Sequence, residues 1–140
     1  FHESDRNHII IEDGFEFAKN SPSNVYDIIF LDAFSPDYIP PSLLTDEFMQ
    51  NIKRVLTKDG VIMINTFATS EFKEQETKLF KKNFGEYYSL STDQTEVIAA
   101  FKGPLPDLSE IAHKAALWRY RFVEVGVSQI NVLSLFPKSN

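Results

Sequence analysis

A chain of 140 residues with 43% apolar side chains can close one core, so residues 1–140 are expected to form a single domain or part of one. A net charge of −6 with scattered lysines and arginines argues against a basic groove tracking phosphates, so no nucleic acid is expected as a direct partner. Without cysteine there is neither a disulfide scaffold nor a thiolate metal site, and His2, His8 and His113 lie too far apart for ligand spacing, so no metal is expected.

No apolar run approaches the roughly 20 residues that span a bilayer, and no charged-then-apolar leader opens the chain, which makes a cytoplasmic protein with no membrane partner the expectation. The chain opens on Phe1 and runs almost at once into strand-like sequence, as part of a longer polypeptide would.

In chain order, HIIIE (His8 to Glu12) is short, β-branched and continuous, as a strand buried on both faces would be, and GFEFAKN after Asp13 suits a short helix. YDIIFLD (Tyr26 to Asp32) reads as a second such strand. Beyond a loop rich in proline and aromatics, Thr45 is placed to cap a helix with Asp46 and Glu47 in its first turn. Phe48, Ile52 and Leu56 then share one face, and TKDG ends the helix. VIMINTF (Val61 to Phe67) predicts a third buried strand, followed by a helix from about Ser70 with Phe72, Leu79 and Phe80 inward. The charges of EFKEQETKLFKK suit a solvated face of that helix.

EYYSLST and EVIAAF, joined by DQT, read as an antiparallel pair closing the sheet. GPLPD then breaks the pattern. Asp107 and Glu110 have capping-box spacing ahead of a helix with Ile111, Ala115, Trp118 and Phe122 inward, and a last short helix is expected over Ser128 to Phe136. Residues 107–140 would thus form a helical C-terminal extension. Trp118 and the neighbouring RYRF could form a stacking platform, but aromatics at helical spacing more often build a core; His113 is expected on the surface.

Alternating strands and helices with a terminal hairpin predict a three-layer α/β domain with a mostly parallel sheet. Ligands of such sheets sit beyond the carboxyl ends of the strands, where HIIIE runs into Glu12-Asp13-Gly14 and YDIIFL runs into Asp32.

The segment YDIIFLDAFSPDYIPPSLLTDEFMQNIKRVLTKDGVIMINTF resembles the region after the fourth strand in the spermidine synthase family, within the AdoMet-dependent methyltransferase superfamily. Asp32, Pro36, Ser42 and Leu43 match its frame, and EDGFEF is similar to its Asp-Gly after the third strand, so the likeness runs from about Asp5 to Phe101. The resemblance implies a truncated Rossmann-like fold, S-adenosylmethionine or its decarboxylated form as donor, and a small-molecule amine as acceptor. It departs at Ser35, where aminopropyltransferases carry a second loop acid, with Asp37 two positions away. The Gly-rich loop and the acid after the second strand, which the family uses to grip the donor, are not in this chain.

That resemblance assigns Asp13, Gly14 and Asp32 to donor binding, Asp32 also to catalysis, and Phe34, Ser35 and Tyr38 to the substrate side or a lid. A carboxylate at Asp13 beside the Gly14 N–H can read adenine's amine and ring acceptor, or Asp13 can simply cap the helix. Asp32 can take a proton from an incoming ammonium, or cap the turn after its strand. The loop AFSPDYIPP can close over substrate, its prolines lowering the ordering entropy, or Phe34 can plug the sheet end.

Three functions follow: aminopropyl transfer or methyl transfer to an unknown acceptor, either of them by the parent protein with this chain alone expected to be inactive, or a non-catalytic module that packs against a partner. In the superfamily the absent strands lie between those of His8–Glu12 and Tyr26–Asp32. The chain must therefore reorder its sheet or leave an exposed edge that favours a homodimer.

Overall fold

A computed structural model describes residues 4–33, 40–69 and 72–124. The elements run α1 (Gly14–Asn20), β1 (Tyr26–Leu31), a 3-10 turn (Pro41–Leu43), α2 (Asp46–Val55), β2 (Leu56–Phe67), α3 (Lys73–Phe84), β3 (Tyr88–Ser91), β4 (Thr95–Phe101) and α4 (Leu108–Glu124). The sheet order is β1-β2-β4-β3. β1 runs parallel to β2, whereas β4 is antiparallel to both β2 and β3.

Local chemistry fixes the helices. Thr45 Oγ1 accepts from the Phe48 N–H at 3.2 Å, Asp46 and Glu47 occupy the positive end of α2, and Lys53 and Arg54 its negative end. Phe48, Met49, Ile52 and Val55 then fall on the buried stripe. Strand alternation supplies the opposing surface: Ile29 pairs with Ile62, Leu31 with Ile64, Ile62 with Ala100 and Ile64 with Ile98. These rows pack with Phe48, Met49, Ile52, Phe80, Phe84 and Tyr87 into one core. Each fully buried aliphatic or aromatic side chain there contributes about 1.5–3 kcal/mol.

Arg54 joins α1 to that core. Its guanidinium donates to the carbonyls of Ser21, Ala18 and Lys19 at 2.7, 2.9 and 3.0 Å, filling acceptors that the end of α1 leaves open.

The α/β architecture and the closing hairpin follow the sequence expectation, but the parallel share of the sheet is one strand pair. His8–Glu12 forms no strand: Ile9, Ile10 and Ile11 are 45%, 61% and 98% exposed. A continuous apolar run becomes a buried strand only with a hydrogen-bonding neighbour, and the described residues offer none. The sheet is not reordered to supply one. Among the described residues β1 stands at the edge and is covered on one face only, with Ile28 and Phe30 left 54% and 72% exposed. Helices α1 to α3 cover that first face. On the second, Tyr88 Oη donates to the Pro106 carbonyl at 2.6 Å, which brings the 102–107 segment across the β3–β4 side.

Other differences are local. Leu56, expected on a helix face, begins β2 instead and is fully buried, and Thr57 to Gly60 bulge out between the Tyr26–Leu56 and Ile28–Val61 pairings. The third helix starts at Lys73 rather than near Ser70. Its charged run is not wholly solvated: Glu76 is 1% exposed and accepts from Thr66 Oγ1 at 3.1 Å. Lys73 pairs with the buried Glu96, and burial holds the Lys73 ammonium below its usual range, partly offset by Glu76.

On α4, Asp107 caps through the Ser109 N–H at 2.8 Å and His113 is exposed, as expected. Trp118 is not core: it is 52% exposed, with the Arg121 guanidinium 5.1 Å from its ring centre. The side chains of Arg119, Tyr120 and Phe122, and the helix expected over Ser128 to Phe136, lie outside the described residues. Among those described, no helix is long and apolar enough to cross a membrane.

Candidate active site at the carboxyl end of the sheet

A cavity of about 540 Å³ opens between α1, β1, the 3-10 turn and α2. Phe17, Ala18, Ile29, Leu43 and Phe48 give it apolar walls. Glu12, Asp13 and Gly14 meet Ala33, Pro40 and Ser42 around it, so the end of the first apolar run and the end of β1 converge as the sequence suggested. Glu12 and Asp13 are the charged residues among those lining it, which suits a cationic guest and disfavours an anionic one.

Asp13 takes the capping role. Its Oδ1 accepts from the N–H groups of Phe15 and Glu16 at 3.0 and 3.1 Å, which fixes the carboxylate at the cavity mouth. Capping and ligand reading are compatible, because a carboxylate has about four acceptor positions. At Gly14 a Cβ would meet nothing within 4 Å, so packing does not demand glycine there and the space before the first turn is open.

Asp32 lies one residue past β1, exposed, between the lining residues Leu31 and Ala33. Its side chain does not line the cavity. It turns toward the second face, where Asn65 Nδ2 donates to Asp32 Oδ1 at 3.2 Å. The structure therefore brings Asp13 and Gly14 together at the cavity and sets Asp32 at the same end of the sheet, on the neighbouring face. Phe34, Ser35 and Tyr38 lie outside the described residues.

Asn65 is the residue that the sequence reading passed over. Its signal was available in VIMINTF: alternation puts Val61, Met63, Asn65 and Phe67 on one face of β2, and an amide interrupts that apolar row. Among the described residues no group of three or more His, Cys, Asp or Glu is gathered as a metal site.

The spermine/spermidine synthase domain matches residues 2–101. The chain belongs to that family. A polyamine aminopropyltransferase of Vibrio vulnificus (strain CMCP6) is 37% identical over 93 residues, covering 64% of this chain and 31% of the relative. Human methyltransferase-like protein 13 in complex with SAH superposes with a TM-score of 0.70 at 21% identity, over 94% of this chain and 64% of that one. Spermidine synthase in complex with the transition state analogue AdoDATO gives 0.63 at 22% identity, over 79% and 42%. These structures share the Rossmann-like methyltransferase fold with the spermidine-synthase-like chain, which spans about a third of the Vibrio relative's length.

Proposed function

We propose that the chain forms the acceptor side and part of the donor site of an aminopropyltransferase, which moves an aminopropyl group from decarboxylated S-adenosylmethionine to an amine. The observation that carries this reading is the placement of Asp32 at the carboxyl end of β1, at the same end of the sheet as Asp13 and Gly14. Membership of the spermine/spermidine synthase family supports it.

The residues present fit such a donor. The apolar walls offer a surface for a nucleoside, Asp13 and the Gly14 N–H offer an acceptor and a donor for its base, and the acidic mouth tolerates a sulfonium. A sulfonium carries its own leaving group, so no protein nucleophile is required. Asp32 serves the acceptor. A primary amine is protonated at neutral pH, and its lone pair is available only after a proton passes to a base; a carboxylate at the lip can take it. The freed nitrogen forms a bond to the aminopropyl carbon as the bond from that carbon to sulfur breaks. The electron pair returns to sulfur, the positive charge ends on nitrogen, and Asp32 then releases its proton to water.

Calorimetric titration of the full-length parent protein with decarboxylated S-adenosylmethionine, S-adenosylmethionine and methylthioadenosine tests this. Heat from the first and third is expected, with Asp32→Asn lowering turnover by at least about a hundredfold, the low end for a lost general base, while donor affinity is kept. Heat from none of the three would favour a non-catalytic module and overturn the proposal. Methyl transfer is the second reading. Ser35 in place of the loop acid favours it, and heat from S-adenosylmethionine without the decarboxylated form would support it.

A further inference from the structure

Among the described residues two apolar surfaces are left without cover, and they are of opposite kind, a sheet face and a helix. The first is the β1 end of the second face, where Ile28 and Phe30 stand exposed and alternate along the strand toward Asp32. The other is the second half of α4. Ile111, Ala112 and Ala115 in its first half are partly buried, but from Ala116 to Glu124 every described side chain is exposed, Leu117, Trp118 and Val123 among them. A sheet face is covered by a helix, and an apolar helix needs a face to cover. Within one chain they do not meet. α4 begins next to β3, where Tyr88 Oη holds the Pro106 carbonyl, and β3 and β1 are the opposite edges of the sheet.

Apolar contact alone does not choose a partner, but charge and spacing do. On α4 the Arg121 guanidinium lies against the Trp118 ring, and among the described residues no carboxylate pairs with it. On β1 the Asp32 carboxylate is exposed and bonds to the neutral Asn65 amide. The helix thus runs from an aromatic to a cation, and the strand from an aromatic to an anion. A turn of helix advances about 5.4 Å and two strand residues about 6.6 Å, so a helix laid along β1 with Leu117 and Trp118 over Ile28 and Phe30 brings Arg121 to Asp32.

We propose that the end of α4 docks on the second face of a second copy of the chain, with the two copies exchanging the contact reciprocally. Each copy offers one helix and one face, so a two-fold axis satisfies both at once and the assembly closes at two. Trp118 on Phe30 supplies the attraction. Arg121 on Asp32 fixes the register more than it adds affinity, since an exposed ion pair is screened by salt. Two short helix ends make a weak dimer, in exchange with a monomer whose β1 face is bare. The contact stands apart from the aminopropyltransferase reading of Asp32. On that reading the dimer is also the closed form, because a substrate ammonium and Arg121 of the second copy need the same carboxylate.

Sedimentation velocity of the 140-residue chain over a range of concentrations tests this, with a charge exchange as the decisive step. The unaltered chain should pass from monomer to dimer and go no further. Trp118→Ala should raise the dissociation constant about thirtyfold, as loss of an aromatic hot spot does. Arg121→Glu sets like charges against each other at both contacts, as does Asp32→Arg, and each variant alone should stay monomeric. Their equimolar mixture should dimerise, because both contacts then join opposite charges. All three substitutions fall on exposed side chains, so the dilute variants should keep the unfolding midpoint of the unaltered chain. A monomer at every concentration overturns the proposal, and a large stability loss from Phe30→Ala in that monomer would assign the cover to residues 125–140 instead. Charge variants that stay apart when mixed overturn it as well.

Discussion

On the first face of the sheet, Ile62, Ile64, Ile98 and Ala100 lie under helices with at most 2% of their surface exposed; on the second, Ile28 and Phe30 keep 54% and 72%. The side chains are of the same kind on both faces. What differs is the cover: α2 and α3 deliver Phe48, Met49, Ile52 and Phe80 to one face, while the β1 end of the other receives no helix among the described residues. Residue type says that a strand seeks burial, and the neighbouring elements decide whether it finds it.

The widest gap between the faces is the cost of truncation. Phe48→Ala should lower unfolding free energy by about 3–5 kcal/mol, whereas Phe30→Ala should stay within about 0.5 kcal/mol. Denaturant melts of the two variants measure it, and equal losses would mean that the second face is covered in solution. Next in size is the tie between α1 and the packed face. Arg54→Met removes the bonds to Ser21, Ala18 and Lys19 and should cost about 1.5–3 kcal/mol. The loss should appear first as faster hydrogen exchange over α1, and exchange that stays slow would show that apolar contacts alone hold the helix.

Smaller again is the effect at the cavity mouth. Gly14→Ala should leave stability unchanged or raise it by up to about 0.5 kcal/mol, since a Cβ fits the open space and alanine is the better helix former. The same change should weaken methylthioadenosine binding in a titration; unaltered affinity would move the nucleoside away from α1. The smallest effect is electrostatic. Hydrogen bonds from Asn83 and Lys82 hold the Asp46 carboxyl below its usual value of 3.8. A depressed acid binds fewer protons folded than unfolded, so its contribution is full above about pH 4 and lost as pH falls through the lowered value. Asp46→Asn should therefore flatten the acid limb of the stability curve below that pH, and an unchanged limb would show the contacts to be without effect.

Much of α2 and β1 was legible because their signals are local: a capping threonine with acids behind it, an apolar stripe, a six-residue run that ends in an acid. The lip position of Asp32 followed from the same rules. What escaped depended on distant partners. Glu76 looks solvated in a charged run, yet its hydroxyl partner Thr66 sits near the end of β2 and draws it inward. Among the described residues His8–Glu12 has strand composition but no paired neighbour, and Trp118 has helical spacing but stays 52% exposed. Asn65 was within reach, since counting alternate residues along β2 isolates it without any tertiary knowledge.

The outer border of β1 has a practical consequence for handling the protein in water. Its six residues carry one charge, Asp27, and no proline, a composition that seeds fibrillar stacking when backbone groups stand open to solvent. Asp27 is already engaged by Thr57 Oγ1 at 2.8 Å, so the one gatekeeping charge is partly occupied by the fold. Light scattering that climbs with concentration, and more steeply in Asp27→Asn, is the mark of such a border; clear solutions of both forms would show it to be harmless.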